Sequence, residues 1–357
     1  MMPKTLMKEH SLIMLFILLT TVTAFAQKKT KLPQEKNMAA YLMVYFRDAD
    51  HDLHFALSKD GYSFTDVNNG QAVIKGDTIA EQKGIRDPYI FRAPDGMFYM
   101  ALTDLHIYAQ QAGYRTTEWE REKNKFGWGN NRGLVLMKSK DLVHWSHTVL
   151  RVDQVSPELA DIGCAWAPEL IYDEQQNKTM IYFSMRHGTE KEQVYYAYMN
   201  PDFTQMETAP KVLFAYPRPA AYIDADITKV GNKFHLFFAS HDGGSHIEHA
   251  VSDSINTGYQ YEGRRIDPEP RGCEAPTIYK LIGENKWILV YDIYSIKPHN
   301  FGFSETTDFV KFTNLGHFNE GIMKATNFTI PKHPGIIQIT KKEAQRIADN
   351  WKMSMIF

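Results

Sequence analysis

Short runs of Val, Ile, Leu, Tyr and Phe recur along this chain, separated by Gly, Asn, Asp and Pro, and long stretches of helical periodicity are nearly absent. That pattern predicts an all-β protein, because strands need only a few residues each and turn residues punctuate them. One unit runs Asp87-Pro88-Tyr89-Ile90-Phe91-Arg92, turns through Ala93-Pro94-Asp95-Gly96, and returns as Met97 to Leu102. A second begins at Trp166-Ala167-Pro168-Glu169-Leu170-Ile171-Tyr172 and returns as Met180 to Ser184. A third runs Asp224 to Val230, turns at Gly231-Asn232, and returns as Lys233 to Phe238. The fourth runs Glu274 to Leu281 and returns as Trp287 to Tyr291.

An outer phrase also repeats. Leu136 to Trp145, Gly302 to Phe312 and the N-terminal Phe55 to Phe64 share a Ser or Thr followed two residues later by Asp and then an aromatic or apolar step. Units of about 50 residues with four short strands are the signature of a β-propeller. The N-terminal copy lacks its own leading strand, so Tyr41 to Phe64 is expected to join strands near Gly335 to Ile339 and complete a fifth blade. The expected fold is a single-domain, five-bladed propeller over residues 27 to 357. Thr340-Lys341-Lys342-Glu343 fits a capping box and predicts a short C-terminal helix to about Trp351.

Two segments fall outside the repeat. Thr103 to Arg132 is a long insertion in the first unit, carrying Trp119, Phe126 and Trp128. Loops of that length in compact domains are often functional, which makes it a candidate pocket wall. At the N-terminus, Lys4 and Lys8 precede the apolar run Leu12 to Leu19, and Ala24-Phe25-Ala26 has the small-x-small pattern of a signal-peptidase site. Residues 1 to 26 therefore read as an export signal, and the protein is expected to be periplasmic or secreted, with no membrane span after cleavage.

Composition narrows the function further. A net charge of -2 gives no basic excess for nucleic acid. Cys164 and Cys273 are the only cysteines, too few for a disulfide scaffold, and both are expected to be free and buried. Aromatic content of 13%, with 19 Tyr and 6 Trp, suits stacking on sugar faces and equally suits aromatic-rich strands. Three carboxylates stand out: Asp87, Asp224 and Glu274 each open one of the repeated strands. An acid at one station in three blades of a radial fold would converge on the axis, and paired carboxylates there are what glycosidic bond cleavage uses. Asp226 rivals Asp224, since two residues on it would share a face of a regular strand.

The order of these phrases resembles glycoside hydrolase family 43, the five-bladed propellers related to arabinanases, arabinofuranosidases and xylosidases. The matching phrases are Asp87-Pro88, Trp166 to Glu169, Ile223-Asp224 and Glu274 to Lys280, in series across most of the chain. The resemblance implies Asp87 as general base, Glu274 as general acid and Asp224 as the carboxylate that tunes the acid. It implies inversion, with base and acid roughly 6.5 to 9.5 Å apart to admit a water. On that reading a like-charged Asp224 would help to keep Glu274 protonated. Two departures from the family phrase are Ala225, where Pro is frequent, and Glu169, where Asp is usual.

Candidate sugar contacts are Arg86, Trp166, Glu169 and His299, with Trp166 serving either as stacking platform or as core. His241 sits in a turn after a return strand. The Lys332-His333-Pro334 phrase resembles one that lies near the central channel in relatives, sometimes beside a bound ion. A structural cation near His333 is thus implied, while no cofactor or catalytic metal is required and no His/Cys/Asp cluster has zinc spacing. The expected protein is a monomeric, exo-acting hydrolase of oligosaccharides or polysaccharides, taking terminal α-L-arabinofuranosyl or β-D-galactofuranosyl residues. A β-xylosidase or β-galactosidase, a non-hydrolytic glycan-binding propeller and a phosphorolytic one are the alternatives.

Overall fold

The computed structural model describes residues 32 to 357, and the expected export signal at 1 to 26 lies outside them. Five sheets, antiparallel apart from one edge pairing in the fifth, are arranged as blades. Blade I holds Ile85–Arg92, Phe98–Asp104, Gly133–Ser139 and Ser146–Arg151, from the inside outward. Blade II holds Ile162–Asp173, Lys178–His187, Gln193–Tyr198 and Lys211–Val212. Blade III runs Tyr222–Val230, Lys233–Ser240, His246–Ser252 and Gln260–Arg265, and blade IV runs Glu274–Lys280, Trp287–Ile293, Asn300–Thr306 and Thr313–His317.

Blade V mixes the two ends of the chain, as the sequence predicts. Its innermost strand is Lys332–Thr340, which pairs antiparallel with Met38–Phe46 through Gly335 and Val44, Ile337 and Leu42. His54–Ser58 and Ser63–Asp66 follow outward, and Lys324–Ala325 adds in parallel at the edge. A ring closed by hydrogen bonds between first and last strands cannot open without breaking a sheet.

The apolar runs are continuous for a physical reason. Successive strand side chains point to opposite faces, and in a propeller each face meets a different neighbouring blade. On Met38–Phe46, Leu42 and Val44 pack toward blade I while Tyr41, Met43 and Tyr45 pack toward blade IV. In blade III, Leu236 and Phe238 face blade II, whereas Phe237 and Ala239 face blade IV. One apolar cluster fills each of the five blade interfaces. Truncating a buried Leu such as Leu102 to Ala at such an interface costs about 2 to 5 kcal/mol.

The repeated outer phrase is a repeated turn. The Ser58, Ser139 and Thr306 hydroxyls accept the N–H of Gly61, Leu142 and Phe309 respectively. Asp60, Asp141 and Asp308 then accept the next two N–H groups. The third turn residue is left-handed in every copy, at φ 78° in Gly61, 67° in Leu142 and 60° in Phe309. The helix Lys341–Asn350 carries its capping box, with Thr340 accepting from Glu343 N–H and Glu343 accepting from Thr340 N–H. Arg92 of blade I grips the same Glu343 with two bonds of 2.7 Å, and Ala344, Ile347 and Ala348 enter the core. None of the described helices is long and apolar enough to cross a membrane.

Candidate active site

All five innermost strands carry the same irregularity. The pairing skips a residue between Arg86 and Tyr89, Trp166 and Glu169, Ile223 and Asp226, Glu274 and Thr277, and again around Lys332 and Gly335. In each the residue after the skip begins is left-handed: Asp87, Ala167, Asp224, Ala275 and His333, all with φ between 46° and 53°. Such a bulge turns the strand and re-aims its side chains, which is why bulges gather at functional rims. Four of the five are followed by Pro, and blade III has Ala225 there.

This register corrects the expectation that the three acids share one station. Asp87 and Asp224 occupy the left-handed position, whereas Glu274 stands one residue earlier, where other blades carry Arg86, Trp166, Ile223 and Lys332. Those five earlier residues all line one cavity of about 740 Å³ on the propeller axis. Asp87 and Asp224 form the next layer down the strands. Thr103 Oγ1 donates to Asp87 Oδ2 at 2.7 Å and itself accepts the Ala167 N–H, so the next blade holds the aspartate's partner in place. Asp87 Oδ1 lies 3.4 Å from His333 Nδ1. Burial pulls the His333 imidazole down to about 4 even though Asp87 opposes it, leaving a neutral ring beside Asp87 at neutral pH.

Asp224 is enclosed in the protein. Burial, then the charges of Glu274 and Asp87, push its carboxyl well above the usual carboxylate range, with the Ala275 N–H pulling the other way. The sequence reading treats Asp224 as an anion raising its neighbour, whereas the structure makes Asp224 itself the strongly perturbed member. In such a coupled set the retained proton belongs to the group of carboxyls, not to one residue. The bulge also separates the two rivals: Asp226 Oδ2 accepts the Ile278 N–H at 2.6 Å and lies beside Glu169, away from the cavity wall.

Glu169, expected as a sugar contact, is not in the cavity wall. It is 1% exposed, accepts a 2.9 Å bond from the Tyr182 hydroxyl, and forms a buried acid pair with Asp226. The reason is again the register, since Glu169 lies past the bulge while Trp166 lies before it. Trp166, Arg86 and His299 do line the cavity, as does His241. The insertion supplies Ile107, Gly127 and Trp128 to the wall. Trp166 Nε1 donates to Gly129 O at 2.9 Å, and the Trp166, Trp128 and Trp119 rings meet edge to face in sequence. Arg186 stacks over Trp166 and donates to Phe126 O and Trp128 O, fixing the loop to blade II. Trp128 remains 50% exposed at the mouth.

Sequence reasoning missed Asp48, Lys332 and Asp292. Asp48 accepts from Arg86 Nη1 at 2.7 Å and has Lys332 Nζ at 3.9 Å and His299 Nε2 at 3.6 Å. Burial would raise it, but Arg86 and Lys332 outweigh that and hold it at about 2, so it stays ionised. Lys332 was legible, because it precedes His333-Pro334 as Arg86 precedes Asp87-Pro88. Asp292 is an acid inside an aromatic strand, which is also a signal; Asp48 follows its strand with no mark in the sequence. Among the described residues no group of three or more His, Cys, Asp or Glu could hold a metal ion. Cys164 and Cys273 are free and buried.

A five-bladed propeller whose axial cavity is walled by carboxylates, basic side chains and tryptophans fits a carbohydrate-cleaving class of proteins. The chain belongs to the family 43-related glycosyl hydrolases: residues 36–345 match the family described as "Probable glycosyl hydrolase domain". It is 25% identical over 261 residues to an α-L-arabinofuranosidase of Bifidobacterium longum, covering 67% of this chain and 22% of that protein. The chain thus spans about one fifth of that relative's length. A xylan β-1,4-xylosidase from Bacillus halodurans superposes with a TM-score of 0.54 at 12% identity, covering 81% of this chain and 54% of that one. An α-L-arabinofuranosidase from Clostridium thermocellum gives 0.51 at 16% identity, covering 74% and 83%. These two likenesses establish the fold.

Proposed function

We propose that this chain is an exported, inverting, exo-acting glycoside hydrolase that removes terminal furanosyl residues, α-L-arabinofuranosyl or β-D-galactofuranosyl, from oligosaccharide or polysaccharide chains. The observation that carries the reading is the station of Glu274: it alone of the three acids reaches the cavity wall, where a glycosidic oxygen could meet it. Glu274 donates its proton to the leaving oxygen. Asp87, one layer down and anchored by Thr103, takes a proton from the attacking water. Asp224 keeps a proton within the carboxyl set that serves the acid. Arg86, Asp48 and His299 offer donors and an acceptor for ring hydroxyls, and Trp166 and Trp128 offer apolar faces. The arabinofuranosidase name of the curated relative supports a furanosyl substrate.

A phosphorolytic reaction is the second reading, since Arg86 and Lys332 both face Asp48 and the Arg86 charge also acts on Asp87, where a phosphate would take the place of the water. Incubation with nitrophenyl glycosides of arabinofuranose, galactofuranose, xylopyranose and galactopyranose, with and without phosphate, tests the reading. Furanoside turnover independent of phosphate, with proton NMR showing the inverted anomer first, is the expected result. Absence of turnover on all four would sink the hydrolase reading. Cleavage after Ala26, read by N-terminal sequencing of protein expressed with its leader, tests export.

A further inference from the structure

Asp292 is a buried ionisable group that neither the fold nor the reaction above uses. It lies on the second strand of blade IV, between Tyr291 and Ile293, which both face the interblade core. It has no exposure, and neither of its carboxyl oxygens has a hydrogen-bond partner. Buried carboxyls are ordinarily satisfied, because an unpaired one costs free energy that a leucine at the same place would not. Its register is the informative fact: Asp292 pairs directly across from Glu274. Directly opposed side chains in an antiparallel sheet stand about 5 Å apart, and like charges there repel.

One cation meets both. Lys332 Nζ lies 3.5 Å from Asp292 Oδ2 and 3.7 Å from Glu274 Oε1, reaching in from the innermost strand of blade V. Other charges facing this pair are Asp224 of blade III, Arg86 of blade I, and Asp48, with His299 beyond it. Lys332 alone would stabilise a Glu274 anion and so draw the proton off the acid. A carboxylate behind the ammonium cancels that pull.

We propose that Asp292 is a positioning residue for the catalytic proton: by neutralising Lys332 from behind, it keeps Glu274 protonated and ready to give its proton to the glycosidic oxygen. This rests on the assignment of Glu274 as the acid. In the step, the Glu274 O–H bond and the anomeric C–O bond break and the leaving sugar gains the proton. The water oxygen bonds to the anomeric carbon while its proton passes to Asp87. Glu274 is then an anion facing Lys332, and Asp292 again offsets that attraction so that the acid takes up a proton for the next cycle. Burial pushes the Asp292 carboxyl up to about 7, while Lys332 opposes that rise and favours its anion.

The test compares wild type, Asp292→Asn and Lys332→Met on a nitrophenyl furanoside, which leaves with little help, and on a furanosyl oligosaccharide, which needs its proton. In Asp292→Asn the alkaline limb of kcat/KM moves about one unit to lower pH, because Lys332 is no longer offset. Oligosaccharide kcat falls about 10- to 100-fold, the nitrophenyl rate falls less than about threefold, and KM holds. In Lys332→Met the limb moves to higher pH. Equal losses on both substrates with an unmoved limb would show a purely structural role and overturn the proposal. If Asp292→Asn does not fold, the Lys332→Met limb decides, and no upward movement overturns the proposal. Wild-type inactivity on every glycoside overturns the hydrolase reading and this proposal together, whereas an active wild type with unmoved variants overturns this proposal alone.

Discussion

Two sets of carboxyls lie near the propeller axis, one a layer or two below the other, and they look alike by charge alone. The upper set is Glu274, Asp224 and Asp87, and the lower pair is Glu169 and Asp226. Both sets hold strongly perturbed protons, since burial and neighbouring acids push Asp224 and Glu169 well above the carboxylate range and burial takes Asp226 to about 7. They differ in access. Glu274 is part of the cavity wall, while Glu169 is sealed beneath and bonded to Tyr182, whose hydroxyl in turn accepts the Ile227 N–H. A perturbed carboxyl therefore marks burial first and chemistry only where a substrate can reach it.

The largest effect separating the two layers is expected at Glu274. Glu274→Gln should lower kcat on oligosaccharides about 10³-fold or more while the melting temperature stays within a few degrees, as read by steady-state kinetics and thermal unfolding. Asp87→Asn should lose activity comparably on every substrate, since the water needs its base whatever the leaving group. The lower layer should behave in the opposite way. Glu169→Ala leaves Tyr182 and Asp226 without their partner and should cost about 1 to 3 kcal/mol in urea unfolding. The folded fraction should keep kcat within about threefold, and a loss like that of Glu274→Gln would break the distinction.

Asp226 sharpens the comparison through pH. Its folded-state proton affinity is raised to about 7 from the usual 3.8, so its contribution is complete below the ordinary aspartate range and is lost as pH rises through about 7. Asp226→Asn should remove that loss. Between pH 4.5 and 8 the variant's urea midpoint should fall less than the wild type's, and parallel slopes would show that the pair carries no shared proton. The smallest effect is at the mouth: Trp128→Ala should raise KM for oligosaccharides about three- to tenfold with kcat little changed.

Much of this was legible in the chain. Strand alternation, the Gly and Asn turns and the Ser/Thr-x-Asp phrase predict the blades, because each is a local preference that the tertiary structure repeats. Even ring closure followed from counting, since the first unit lacked its leading strand. The stations of the acids were less legible. Glu274-Ala275-Pro276 and Asp87-Pro88 look alike as strand openings, and only alignment on the proline shows that their acids differ by one residue.

By itself, then, the sequence determined the number of blades, the pairing of the two ends and which acids open the inner strands. These depend on period, turn chemistry and composition, which act over a few residues. Tertiary structure alone decided which acids share a cavity and which are sealed. A left-handed bulge changes what each side chain faces, and Asp292 of blade IV meets Lys332 and Asp48 of blade V only when the two blades converge on one axis. Charge interactions depend on distances through space, which the order of residues along a strand does not contain.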